Sequence, residues 1–548
     1  MNSKLGSASC CARPLTTART ECSPCLTKAG GALLRLAAAA ASLLALGVLS
    51  ERPAWSDPDD RCFGIRAVDD RTGRGIPLVE LETVHHLRYV TDSAGWAAFH
   101  EPGLMRQKIF FHVRSHGYEA PKDGFGFAGV ALETAPGGRA EIRMRRLNLA
   151  ERLYRITGEG IYSDSVRLGE PAPLAQPLGA GRVAGQDSTF AVLHRGRIHW
   201  YWGDTSRLSY PLGHFWMAGA TSKLPGQGGL DPAVGIDLDY FVSADGFSRP
   251  LARMGVERGL MWLDGFLVTP DGTGRDRIVA HYDHVESLGK SFGHGMAIYM
   301  DDKAEFARMH ALDTTNRWRF PRGHVIRHRE GGADYFYCGE VFLDVRVRAD
   351  FASVTNPAAY EAWTCLETGS APASARVRRG ADGALSWRWS RHSDPVDPGR
   401  EQQLVDAGQI AASEAWLNPA DIESGQRIRV HRGSVNWNDY RKCWILIATQ
   451  QGGSSALGEV WYAEAPGPTG PWRRARKIVT HDRYTFYNPV HHPFFDQEGG
   501  RIIYFEGTYA NTFSGNPDAT PRYDYNQIMY RLDLSDARLR SRASAAGK

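Results

Sequence analysis

Apolar and polar residues alternate in short runs over residues 61–147, the period expected of strands with one buried face. Examples are the segments RCFGIRAVDD, IFFHVRSHGYE and AEIRMRRL. Between the runs lie turn sequences rich in Gly, Asp and Ser, namely DDRTGRG, TDSAG and PGG. This pattern predicts a small all-β sandwich of about seven strands.

The same alternation continues over residues 148–535, where strand-like hairpins recur in about five groups at intervals of roughly 55–75 residues. Repeated sheets of this size, with Gly-rich turns and few helical patterns, predict a five-bladed β-propeller. A pair of β-sandwiches is the alternative. An insert is expected near residues 370–425, more helical over Glu401–Trp416, and residues 536–548 are expected to form a disordered tail.

Residues 1–56 are predicted to be a leader separate from the fold. Basic residues precede the apolar run Gly30–Ser50, and a polar stretch follows it. This order is typical of a secretory signal, so we expect a secreted, periplasmic or cell-surface protein. An uncleaved membrane anchor is the alternative, because about 20 apolar residues can span a bilayer; otherwise no membrane association is expected.

Composition narrows the class of partner. The 548 residues carry a formal net charge of +4 with no basic stripe interleaved with aromatics, so no nucleic-acid partner is expected.

Four of the eight cysteines lie outside the leader: Cys62, Cys338, Cys365 and Cys443. A Cys338–Cys365 disulfide and free buried thiols are both consistent with their number and with export.

The segment Gly185–Thr205, GQDSTFAVLHRGRIHWYWGDT, carries the first candidate chemistry. Its alternation predicts a β-hairpin with one carboxylate near each end, Asp187 and Asp204. A four-residue turn places Leu193 opposite Ile198, and in the same register Asp187 faces Asp204. A three-residue loop staggers the two carboxylates but keeps them neighbours.

Two adjacent carboxylates cannot both ionise at low cost, so the pKa of one member should rise. A protonated and an ionised carboxyl are the acid and base that glycoside hydrolysis requires. The alternative is that Asp187 caps a turn and Asp204 begins a surface turn. No nucleophilic serine elbow, P-loop or dinucleotide-binding glycine motif is present, which argues against phosphoryl transfer and nicotinamide chemistry.

Three motifs resemble known families. The turns Asp69–Gly73 and Thr91–Gly95 resemble the transthyretin-like, carboxypeptidase-regulatory family of small β-sandwiches, which implies an accessory module. The segment Ala463–Trp472 looks like the turn that closes blades in five-bladed propeller glycosidases. Gln186–Ser188 followed by Tyr201–Thr205 resembles the first blade of a subgroup that includes bacterial endo-D-arabinanases, and this likeness implies a catalytic carboxylate pair in a central cleft.

The resemblance also implies a general acid from a middle blade, which makes Glu340, in the aromatic strand YFYCGEVF, a third catalytic candidate. Burial in that strand is expected to raise its pKa. Sugar sites need flat aromatic faces and fixed polar groups. The candidates for substrate binding are Trp202, Asp239, Asn436, Asn488, His492, Glu506 and Tyr509. For each of these a purely structural role is the alternative.

No metal site or cofactor is predicted. His281, Asp283, His284 and His294 lie close in sequence but lack helical ligand spacing, and a structural calcium on the propeller axis is the one alternative left open. We therefore expect a secreted glycoside hydrolase-like protein that cleaves an extracellular polysaccharide or oligosaccharide, furanose-rich such as arabinan. The alternative is a non-catalytic carbohydrate-binding or cell-surface structural protein on the same scaffold.

Overall fold

The computed structural model describes residues 59–214, 216–287, 289–369 and 376–540. The predicted leader, residues 1–56, lies outside these ranges, as does the end of the chain from residue 541. Among the described residues no helix is both long and apolar enough to cross a membrane.

Two four-stranded sheets form the N-terminal sandwich. The first has the order β4-β1-β8-β6 and the second β3-β2-β5-β7. The strands are β1 (Phe63–Asp69), β2 (Glu80–Thr83), β3 (Arg88–Val90), β4 (Trp96–Phe99), β5 (Lys108–Arg114), β6 (Tyr118–Glu119), β7 (Gly129–Glu133) and β8 (Arg139–Arg146). Alternate residues of both sheets, among them Ile65, Leu81 and Val113, share one buried core. Period-two alternation therefore produces the predicted two-layer packing.

Five further sheets follow, and each is a blade of a β-propeller. Before the first blade come β9 (Glu151–Arg155), the helix α1 (Ser163–Leu168) and β10 (Val183–Gln186). The first blade consists of β11 (Phe190–His194), β12 (Arg197–Trp202), β15 (Ala218–Lys223) and β16 (Asp239–Tyr240). Beside it, β13 (Thr205–Arg207) pairs with β10 on one side and with β14 (Tyr210–His214) on the other, in a small three-stranded sheet.

The next three blades are antiparallel meanders, two of which gain a fifth strand at the outer edge. The second contains β17 (Leu260–Pro270), β18 (Asp276–Ser287), β19 (Lys290–Met300) and β20 (Glu305–Leu312). The third contains β21 (Ile326–Glu330), β22 (Ala333–Cys338), β23 (Val345–Arg348), β24 (Glu361–Thr364) and β25 (Arg388–Ser390), with α2 (Phe351–Val354) between β23 and β24. The fourth contains β26 (Ala420–Asp421), β27 (Val430–Asn438), β28 (Cys443–Gln450), β29 (Val460–Ala465) and β30 (Arg474–Val479).

The fifth blade closes the ring. It consists of β31 (Thr485–His491), β32 (Ile502–Ala510) and β33 (Asn526–Asp533), and its outermost strand is β9, from before the first blade. Ile528 pairs with Arg155 and Arg531 with Glu151 across this junction. Because the two ends of the propeller share one sheet, the ring has no open edge between its first and last blades.

The innermost strands of the five blades surround a cavity of about 800 Å³ on the propeller axis. Its walls include Val192 of β11, Val268 of β17, Ile326 of β21, Asn436 of β27 and Val490 of β31. The fold is thus all-β, a small β-sandwich followed by a five-bladed propeller.

Two predicted segments differ from expectation. Part of the insert is a strand of the third blade, β25, and the helix in it is α3 (Pro398–Asp406), which ends ten residues before Trp416. The expected disordered tail begins with a 3-10 helix, Ala537–Leu539, because Leu539 is buried in the propeller core. All four described cysteines are free thiols, which is the second of the two alternatives.

Candidate functional site

A second cavity, of about 410 Å³, is lined by residues from all five blades. We call it the acidic cavity, because five carboxylates line it: Asp187, Asp204, Asp264, Asp283 and Glu340. Asn488 of β31 and Arg432 of β27 complete its wall from the fifth and fourth blades. Side chains from every blade converge only near the axis of a propeller, so this cavity lies there.

The hairpin of the first blade brings Asp187 and Asp204 together. Leu193 pairs with Ile198, the first of the two predicted registers, and pairing continues to His194 and Arg197. The turn is therefore two residues, Arg195 and Gly196, both with positive φ (+50° and +74°) as a type I′ turn requires.

Asp187 is fixed by donors on two sides. Its Oδ1 accepts the backbone N–H of Asp204 at 2.9 Å, and its Oδ2 accepts the Tyr487 hydroxyl at 3.0 Å. A Cβ on Gly203 would lie 2.3 Å from Oδ1, so only glycine leaves room for the carboxylate there. Asp204 accepts a hydrogen bond from Trp262 Nε1 at 3.0 Å.

The pKa of both carboxyls is raised, not that of one alone. Burial raises the pKa of Asp187 to about 6, although hydrogen bonds from Tyr487 and from the Asp204 amide oppose the rise. Burial, and then the charge of Asp187, raise the pKa of Asp204 to about 7, with only Trp262 opposing. At near-neutral pH this pair can therefore hold one proton between its two carboxyls, and the hydrogen bonds to Asp187 favour the ionised form of that member.

Asp264 is a site residue that the sequence analysis missed. It lies in β17 where the pairing with β18 shifts, followed by Gly265 at φ +64°. Its Oδ1 accepts the N–H groups of Gly265 at 2.8 Å and Gly323 at 2.9 Å, and burial raises its pKa. The signal was the Asp-Gly pair inside an apolar strand, which is typical of a bulge.

Glu340 lines the acidic cavity, but the expected burial in an aromatic strand is wrong. β22 ends at Cys338, and Glu340 lies two residues beyond it with an exposed side chain. The chain bends after Gly339, whose place is tight because a Cβ there would lie 1.7 Å from the carbonyl oxygen of Phe342. Glu340 thus reaches the cavity from a loop and not from a strand.

Asn488 also lines the acidic cavity, in a strained segment of backbone. Asn488 and Ser188 have positive φ values of +50° and +54°, and Asn488 Nδ2 donates to Ser188 Oγ at 2.7 Å. The Asn488 Oδ1 atom is buried and accepts no hydrogen bond from any residue that the structure describes. Strained backbone and buried acceptors without a hydrogen-bond donor are both more frequent at functional sites than elsewhere.

Two predicted binding residues, Trp202 and Glu506, are buried in the core. Trp202 is fully buried between Trp200 and Tyr240, so its ring presents no face to a ligand. Glu506 is also fully buried and accepts hydrogen bonds from His492 Nε2 at 2.6 Å and Thr189 Oγ1 at 3.0 Å. The prediction is wrong for both residues. Neighbouring aromatic rings cover the faces of Trp202, and neighbouring side chains already bond to the carboxylate oxygens of Glu506.

Four more predicted residues lie elsewhere. Tyr509 is buried with its hydroxyl 3.0 Å from His116 Nε2 of the sandwich, and it does not line the acidic cavity. Asp239 is an exposed residue of the edge strand β16, paired with Arg197. Asn436 and His492 line the axial cavity and not the acidic one. Strand membership alone did not reveal which end of the propeller each side chain faces.

The residues that the structure describes contain no group of three His, Cys, Asp or Glu side chains arranged to hold a metal ion. His281 and His294 contact each other, with Nε2 and Nδ1 2.9 Å apart, and His281 stacks on Phe320. Burial lowers the pKa of His281 to about 3, so this ring is neutral. The arrangement can therefore move protons through carboxyls, and His281 serves as a packing group.

The fold and site define an all-β propeller with paired carboxylates in the acidic cavity. No protein-family model matches this chain, and no curated protein matches it by sequence. Solved structures similar to it include an exo-1,5-α-L-arabinanase from a bovine ruminal metagenomic library, with 9% identity, 64% of this chain and 93% of that chain covered, and a TM-score of 0.31. An α-L-arabinofuranosidase from Fusarium graminearum is 11% identical, with 71% of this chain and 99% of that chain covered and a TM-score of 0.30. An exo-β-1,3-galactanase from Phanerochaete chrysosporium is 9% identical, with 64% of this chain and 61% of that chain covered and a TM-score of 0.33. At these identities and scores the similarity by itself establishes no activity for this chain.

Proposed function

We propose that this protein is a glycoside hydrolase, with Asp204 as general acid and Asp187 as general base or nucleophile. The observation that carries the proposal is the carboxylate pair at the open end of the first-blade hairpin, with pKa values raised to about 7 and about 6. Four donors among the described residues favour the ionised form of Asp187, whereas Asp204 has one. The two members are therefore suited to opposite roles in proton transfer.

The surroundings of the pair support a sugar as the substrate. The cavity volume of about 410 Å³ is within the size range of small-molecule sites, and Trp262 and Phe320 supply aromatic surface in its wall. Asn488 Oδ1 offers an acceptor for a hydroxyl hydrogen. We further propose an extracellular polysaccharide, furanose-rich such as arabinan, as the substrate class, with export directed by the apolar run Gly30–Ser50.

Reducing-end release from a panel of polysaccharides, including arabinan and galactan, tests the proposal. Asp187→Asn and Asp204→Asn should each lower the rate by roughly 10²–10⁴-fold, the usual contribution of acid–base groups. Asp239→Asn is the matched control, because Asp239 is an exposed carboxylate outside the cavity. Full activity in both cavity variants would remove the pair from the mechanism, and binding of glycans without cleavage would assign the scaffold to carbohydrate recognition.

Aryl glycosides with good leaving groups separate the acid from the base, because departure of such a group needs no proton. Asp204→Asn should then regain most of its rate on the aryl substrate while Asp187→Asn does not. If Glu340→Gln shows that rescue and Asp204→Asn does not, the acid is Glu340, which lines the same cavity.

A further inference from the structure

The acidic cavity holds three arginines beside its carboxylates: Arg317, Arg322 and Arg432. Arg322 is paired, with its Nη2 atom 2.8 Å and 2.9 Å from the two carboxylate oxygens of Asp344. Arg317 and Arg432 form no hydrogen bond or ion pair with any residue that the structure describes. Among the described residues, the cavity thus contains two cations without a partner.

Arg432 is the more informative of the two. It belongs to β27, the inner strand of the fourth blade, and its side chain is partly buried. Its charge acts on Asp264, but neither Asp264 nor Glu340 lies within ion-pair distance of it. A partly desolvated guanidinium normally has its donors satisfied, and its planar fork matches two oxygens of a carboxylate or a sulfate.

The five carboxylates of the acidic cavity offset the charge of its arginines, but none of them lies within ion-pair distance of Arg432. Arg317 is exposed at the rim of the cavity, whereas Arg432 is partly buried. A neutral sugar would therefore leave the donors of Arg432 without an anionic acceptor. A negatively charged substituent on the bound sugar would supply one.

We propose that the acidic cavity binds a glycan whose sugar carries a negatively charged substituent, a carboxylate or a sulfate ester, held by Arg432 with Arg317 at the rim. This inference rests on the proposed function and names its substrate class. Arg432 acts as a specificity residue in it, and takes no part in proton transfer. An arabinan-like polymer would then be a substrate only where it carries acidic groups.

Matched pairs of oligosaccharides test the inference. Oligogalacturonates are compared with their carboxyl-reduced forms, and κ-carrageenan oligosaccharides with their desulfated forms, so that the two arms separate carboxylate from sulfate. Binding is measured by calorimetry on the full chain at low and at high salt, and hydrolysis by reducing-end release. We expect the charged member of one pair to bind on the order of tenfold more tightly, and less so at high salt.

Arg432→Gln should abolish that preference, and Arg432→Lys should keep part of it because the charge remains. Arg329→Gln is the control, since Arg329 is an exposed arginine of β21 outside the cavity. Thermal unfolding of each variant checks that the fold is intact. Binding of the charged and neutral members with equal affinity would overturn the inference.

The two proposals fail in different ways. Hydrolysis of neutral oligosaccharides that Arg432→Gln leaves unchanged would overturn the charged-substrate inference and keep the glycoside hydrolase. Selective binding of a charged oligosaccharide, lost in Arg432→Gln but without hydrolysis of any probe, would support the charged ligand and overturn the hydrolase.

Discussion

At the residue scale, the raised pKa that suits Asp204 to act as an acid also lowers the free energy of unfolding when Asp204 is ionised. Its pKa rises from an ordinary value of 3.8 to about 7 in the folded protein, first because of burial and then because of Asp187. The folded state therefore binds this proton more tightly than the unfolded chain does. On account of this group the free energy of unfolding falls as the pH rises from about 4 to about 7, and stays lowered above that.

Asp204→Asn removes the ionisation and should stabilise the protein by roughly 1–3 kcal/mol at pH 8, with little difference from wild type at pH 4. Chemical denaturation at pH 4, 6 and 8 measures the free energy of unfolding of both. Asp239→Asn, which alters an exposed carboxylate, should show no such pH-dependent gain. A variant no more stable than wild type at pH 8 would show that burial does not raise the pKa of Asp204.

At the scale of elements, β9 is the strand that closes the propeller, and all five of its residues are buried. Leu153 lies at its centre and is fully buried, in one core cluster with Trp200, Tyr504 and Met529. Leu153→Ala should lower the free energy of unfolding by about 2–5 kcal/mol, the usual cost of a cavity left in a core.

Leu147→Ala is the matched control, because Leu147 lies six residues earlier and is 52% exposed. Its effect should stay within about 0.5 kcal/mol, as is usual for exposed positions. Denaturant melts of the two variants make the comparison. Equal losses would mean that ring closure does not depend on the packing of β9.

The hairpin of the first blade could be predicted from sequence because its determinants are local: strand alternation and a turn with Gly196. The pairing of β9 with β33 could not be predicted in this way, because the paired residues of the two strands, such as Arg155 and Ile528, lie more than 370 positions apart in the chain. Every residue of β32 is buried, so no alternation indicated that Glu506 and Tyr509 face the core. Asp264 and Arg432 reach the acidic cavity only through the packing of blades against one another.

At the scale of the whole molecule, the sandwich and the propeller are joined by buried polar contacts. Arg152 of β9 is 1% exposed, and it donates to the carbonyl oxygens of Pro77 at 3.0 Å and His116 at 3.1 Å in the sandwich. Tyr523 donates its hydroxyl to the carbonyl oxygen of Thr91 at 2.8 Å. Leu78 of the sandwich is part of a propeller core cluster. The sandwich therefore shares a core with the propeller and is not tethered to it by a linker alone.

This junction predicts that the two domains unfold together. Wild type should show one calorimetric transition, with coincident midpoints by circular dichroism and tryptophan fluorescence. Arg152→Met leaves the carbonyl oxygens of Pro77 and His116 buried without their donor, at a cost of about 1–3 kcal/mol for each such group. The sandwich should then melt first, so that the single transition separates into two.

Arg143→Met, on an exposed arginine of β8, should leave one transition. Two transitions already present in wild type would show that these contacts do not couple the domains, since cooperative unfolding requires that the shared core be lost in one step.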